Sequence, residues 1–121
     1  MNPLVFFLHL ETNIKLYHWM TRSYARHVAT DSLHEKILEQ TDKFVEVYIG
    51  KYKRPSLQKK DLNITLGNHS DKDILVFLDF AINYLTKDLF KYITDKDTDL
   101  VNIRDDILSA INQAKYLYTL N

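Results

Sequence analysis

A chain of 121 residues, 45% of them apolar, is long enough to close one buried core, so residues 1–121 read as a single domain. Its 16 basic and 16 acidic side chains cancel, which leaves no global field to draw it to nucleic acid or a membrane surface. The lack of cysteine excludes disulfides, thiolate metal sites and cysteine nucleophiles, and two glycines and two prolines are too few for a turn-rich β fold.

The opening segment Asn2-Pro3-Leu4-Val5-Phe6-Phe7-Leu8 is apolar but short, has no basic leader, and runs into His9 and Glu11. Neither a signal peptide nor a membrane span is expected, which points to a cytoplasmic or otherwise intracellular setting (host cell or virion for a viral chain). A first helix is expected over about Pro3 to Met20, with Phe7, Leu10, Ile14 and Tyr17 as its apolar stripe. The second starts at Ser23, a suitable N-cap, and ends by Arg54, since Pro55 forbids continuation. Residues 55–70 read as a long linker, with His69 in a surface loop. Ser70-Asp71-Lys72-Asp73 signals the start of a third helix, whose stripe runs from Ile74 through Leu85 and Leu89 to Tyr92. After a short acidic turn at Asp95 to Asp99, Leu100, Ile103, Ile107, Ala110, Ile111, Ala114, Leu117 and Tyr118 mark the fourth. Four amphipathic helices of these lengths make an all-α, four-helix bundle.

The second helix carries an unusual pattern. His27 and Glu46, and likewise Asp31 and Asp42, are equidistant from a point between Lys36 and Ile37. At roughly 100° per residue all four fall within an arc of about 100° on one face. Asp31 and Asp42 are about 16 Å apart along the axis, too far to share one ion. A second copy, antiparallel across a two-fold axis, sets His27 against Glu46 and Asp31 against Asp42, and an isologous dimer does this automatically. The two equivalent sites so formed mix imidazole and carboxylate, a set suited to Fe, Zn or Mn.

Lys15-x-x-His18-Trp19, His27-x-x-x-Asp31 and Asp42-x-x-x-Glu46, in that order, resemble the pattern of Dps-type mini-ferritins, a branch of the ferritin-like superfamily. The match covers about a quarter of the chain directly. The resemblance implies a ferritin-like antiparallel four-helix bundle whose linker crosses between the second and third helices. It also implies a ferroxidase centre in which His18, His27 and Asp31 of one chain face Asp42 and Glu46 of another. Fe(II) oxidation by peroxide or oxygen, iron storage and protection from oxidative stress are the implied activities, in a dimer or a larger cage. Trp19 and Tyr24 are candidate redox-active aromatics; His34, on the same arc as His27, has no counterpart in the family pattern, and its symmetric position opposite Glu39 makes it a candidate accessory ligand or cross-dimer hydrogen-bond partner. Many members bind DNA through a basic tail; here Met1-Asn2-Pro3 leads straight into the helix, so nucleic acid is not an expected partner by that route.

Simpler readings compete with these. A lone His18 is more often a hydrogen-bonded core histidine, Asp31 a helix-start acid, and Asp42 with Glu46 a solvated face. Trp19 and Tyr24 are more often packing residues. Leu38 and Val45 on the same arc fit poorly with a solvated face. The rival function is a non-enzymatic helical assembly module with a structural metal or a metal-free polar interface. The basic cluster Lys51, Lys53, Arg54, Lys59 and Lys60 around Tyr52 reads as a solvated linker rather than a nucleic-acid surface.

Overall fold

The computed structural model describes residues 1–120, which form four α-helices and two short 3-10 turns, with no strand among the described residues. Helix α1 spans Pro3–Met20. Asn2 caps it by accepting from the Val5 amide at 3.1 Å, and Pro3 sits where a missing N–H costs nothing. Helix α2, Tyr24–Tyr52, begins as expected: the Ser23 hydroxyl accepts from the Arg26 amide at 3.2 Å. It stops at Lys53, which takes φ 79° and ψ 165°, a conformation strained for a residue with a Cβ. The linker holds one 3-10 turn, Lys59–Asp61, closed by reciprocal bonds between Gln58 and Asp61.

Helix α3 spans Asp73–Thr86, and the Ser70 hydroxyl, just before it, accepts from the Asp73 amide at 3.1 Å. It is shorter than its apolar stripe suggests. The Thr86 hydroxyl donates back to the Ile82 carbonyl at 2.8 Å, and Arg104 donates to the Leu85 carbonyl at 3.2 Å. The α-helical ladder is given up at Lys87, and a 3-10 turn over Asp88–Lys91 carries the chain on. Leu89 and Ile93 stay buried all the same, so the stripe is satisfied without a continuous helix. Helix α4 spans Thr98–Leu117.

One core joins all four helices. Phe6 stacks on Tyr84 at 3.8 Å, Phe7 meets Phe44 edge-on at 5.1 Å, and Leu10, Ile37, Leu78 and Ile107 are fully buried. Each such side chain contributes about 1.5–3 kcal/mol on leaving water. Between α1 and α2, Phe7 meets Phe44, Glu11 meets Thr41 and His18 meets His27. Between α2 and α4, Lys51 reaches Asp99, Lys36 reaches Gln113 and Thr30 reaches Tyr118. Asp79 and Lys115 tie α3 to α4.

Polar clusters close the two ends. At one, Asp71 accepts from Tyr17 and Thr21, while Arg26 donates to the Tyr17 hydroxyl and the Asp71 carbonyl and lies over the Tyr118 ring. At the other, Lys51, Tyr52 and the Thr94 amide all donate to Asp97. The basic cluster around Tyr52 is therefore partly neutralised, Lys51 by Asp97 and Asp99. The linker is fastened by buried Asn13. Its amide donates to the His9 and Thr65 carbonyls, and its oxygen accepts from the Gly67 amide at 2.7 Å and His69 Nε2 at 3.2 Å. His69 is thus no surface loop residue: its ring is half-buried against Phe77, and a Cβ at Gly67 would run into it. Among the described residues no helix is long and apolar enough to cross a membrane.

Candidate metal centre

The connection between α1 and α2 is only Thr21 to Ser23, so the end of one helix lies against the start of the next. That brings His18 and His27 face to face, with ring centres 3.9 Å apart and planes within 18°. His18 Nδ1 bonds the His27 carbonyl at 2.9 Å, and His27 Nδ1 bonds the His18 carbonyl at 2.8 Å. A backbone carbonyl only accepts, so both Nδ1 atoms carry the proton. In the neutral rings both Nε2 atoms then keep a lone pair, the tautomer a metal-binding imidazole needs.

Asp31, one turn beyond His27, places Oδ1 3.8 Å from His18 Nε2 while its side chain is 64% exposed. Ordinary metal–nitrogen and metal–oxygen bonds of about 2.0–2.2 Å span that gap with one ion. Stacking limits how the two rings could coordinate. An ion in the plane of one imidazole would lie almost a full stacking distance from the plane of the other, so the two Nε2 atoms are not arranged to share one ion. Within one chain no group of three or more His, Asp or Glu side chains is placed to hold a metal, among the described residues.

Asp42 and Glu46 are both exposed on the outward side of α2 and do not approach the histidine pair of their own chain. Asp42 lines a groove of about 800 Å³ between α1 and α2 with Leu4, Leu8, Leu38 and Val45. Glu11, which the sequence pattern did not single out, also lines it. Its half-buried carboxyl accepts from Thr41, and loss of hydration, opposed by that bond and reinforced by Asp42, holds its pKa above the usual value. Its position seven residues before His18, two helical turns, was the available signal.

The other candidates flank the histidines. Trp19 is 66% exposed beneath the Lys15 ammonium, and Tyr24 is 80% exposed with its ring 6.4 Å from that of His27. Neither packs in the core of its own chain, against the simpler reading for both. His34 lies in a neighbouring pocket with Lys15, Trp19 and Leu38. Desolvation first, then the charges of Lys15 and His18, lower its pKa, so the ring is neutral at neutral pH.

The fold and this geometry define an all-helical, four-helix protein with a paired-imidazole cluster at one helix junction. Residues 18–118 match the model of DUF5856, a family of unknown function, and the chain belongs to that family. All five predicted ligands fall within the matched stretch. No curated protein and no solved structure matches the chain.

Proposed function

We propose that this protein is a Dps-like iron-binding protein that oxidises Fe(II) with peroxide or oxygen at a site shared between two copies, serving iron storage or protection from oxidative stress. The observation that carries the reading is the reciprocal Nδ1-to-carbonyl bonding of His18 and His27, which leaves both Nε2 atoms free, that of His18 3.8 Å from Asp31. A ferritin-like antiparallel bundle is supported by the order of contacts: rising positions on α1 meet falling positions on α2, and the same holds for α2 against α4. The bond of Asp71, just before α3, to Tyr17 near the end of α1 supports a linker that returns along the bundle.

In this reading Fe(II) is the substrate, and two Fe(II) ions give one electron each to a peroxide, which takes up two protons and leaves as two waters. His18 and His27 each supply one nitrogen donor, and Asp31 shares the ion of His18. The second copy supplies Asp42 and Glu46, whose exposure leaves them free to reach across. Tyr24, its ring 6.4 Å from that of His27, and Trp19, next to His18 in the chain, would intercept radicals released at the histidines. The exposed apolar residues beside the site, Leu38 and Val28 among them, favour assembly whatever the chemistry, which keeps the structural-module reading as the rival.

Anaerobic titration with Fe(II), then admission of peroxide while ferric absorbance is followed, separates the two. The ferroxidase reading expects about one or two ions per chain and rapid oxidation that His27→Ala or Asp42→Ala abolishes in a folded protein. Absence of Fe(II) binding, or oxidation undiminished in Asp42→Ala, sinks it. Binding without turnover leaves the structural module.

A further inference from the structure

The outward stripe of α2 combines apolar residues with one sign of charge. Tyr24, Val28, Leu38 and Val45 share it with Asp31, Glu35, Asp42 and Glu46, and no lysine or arginine lies on it. The helix does have cations, but they are directed elsewhere. Arg26 binds Tyr17 and the Asp71 carbonyl, Lys36 binds Gln113 on α4, and Lys51 binds Asp97 and Asp99. Lys43 is exposed but sits roughly 100° around the helix from Asp42. From α1 the stripe is flanked by Lys15, held over Trp19, and by Glu11, which offsets it.

Antiparallel pairing about the point between Lys36 and Ile37 sets Val28 against Val45 but also Asp31 against Asp42. Eight carboxylates, four from each copy, then share one contact without a compensating Lys or Arg on either helix. Like charges opposed at a contact count against association. His27, carrying its free Nε2, is set opposite Glu46, so each half of the contact brings together imidazole nitrogen and carboxylates.

We propose that dimerisation through this face is gated by divalent cations: metal-free chains repel, and ions bridging His27 and Glu46, and Asp31 and Asp42, across the two-fold axis convert the same acids into the link. This rests on the shared-site reading and adds regulation to it. Metal supply sets how much of the protein is assembled, and assembly sets how tightly metal is held, because the coupling is reciprocal.

The test is sedimentation equilibrium of the full chain, stripped with chelator and then supplied with Zn²⁺ as a redox-silent probe, with bound Zn²⁺ counted by calorimetry. The expected result is a dimer Kd about ten- to a hundredfold lower with Zn²⁺, the range of an ordinary coupling between sites. Glu35→Gln, which removes a charge from the stripe but no predicted ligand, should tighten the metal-free dimer and narrow that difference. Zn²⁺ bound across copies with an unchanged dimer Kd, or a Glu35→Gln chain that associates no better than the parent, overturns the gating and leaves the shared site standing. A stripped chain that is already a tight dimer and binds no Zn²⁺ overturns both.

Discussion

The two faces of α2 are built by opposite rules. Inward, Leu33, Ile37, Phe44 and Tyr48 meet the other helices, with Ile37 and Phe44 fully buried. Outward, Asp31, Asp42 and Glu46 stand in solvent and take almost no part in holding the chain together. The outward face is itself uneven. Around His27 the rings are stacked and their protons fixed, whereas Asp42 and Glu46 have no such frame. An imidazole binds metal through one atom in one tautomer and must be aimed; a carboxylate offers two equivalent oxygens and needs less orientation. The difference locates the core contacts on one side of the helix and the candidate metal ligands on the other.

Substitutions on the two faces test that division directly. Phe44→Ala should cost about 3–5 kcal/mol in denaturant unfolding, because it removes a ring fully enclosed beside Phe7 and Tyr48. A cost below about 1 kcal/mol would mean the core is not where the inward face puts it. Arg26→Ala, at the α1–α2 junction, should cost about 1–3 kcal/mol, since it leaves the Asp71 and Tyr17 oxygens without their donor.

At the opposite end Asp97 is held down to about 2, from 3.8, by Lys51 first and then by the Thr94 amide and Tyr52. A depressed carboxyl stabilises the fold above its unfolded pKa and loses that contribution as pH falls through the folded value. Thermal midpoints should therefore drop between about pH 4 and 2, and Asp97→Asn should flatten the profile across that window. The smallest stability effect is expected two residues from Phe44: Asp42→Ala should change unfolding by no more than about 0.5 kcal/mol while removing Fe(II) oxidation. If Asp42→Ala destabilises the chain as Phe44→Ala does, the division between faces is wrong.

Much of the fold could be read from local rules. Asn2-Pro3 and Ser23 cap helices where their chemistry predicts, Ser70 bonds the first amide of α3, and the apolar stripes face the core. The features that escaped local rules depend on distant partners. The early end of α3 involves Arg104, nineteen residues beyond the Leu85 carbonyl it binds, and no local breaker announces it. His69 reads as exposed because the chain around it is polar, yet Asn13, 56 residues earlier, draws it in. The candidate site divides in the same way. Spacing alone put His27, Asp31, Asp42 and Glu46 on one face, but the mutual bonds of His18 and His27 require the short turn between α1 and α2. The stacking that keeps the two Nε2 atoms from sharing one ion depends on an angle between the rings that spacing does not encode.

Asn13 also makes the linker depend on the first helix. Its amide is the post to which residues 65–69 are fastened, and that post is complete only once α1 has formed. The α1–α2 pair closes across a three-residue connection, whereas the linker must find a site more than fifty residues back along the chain. A short connection costs less entropy to close than a long one, so the first hairpin is expected to close before the linker is fastened. The imidazole pair, lying at the turn of that hairpin, is therefore expected to take shape early, before the linker is fastened to Asn13.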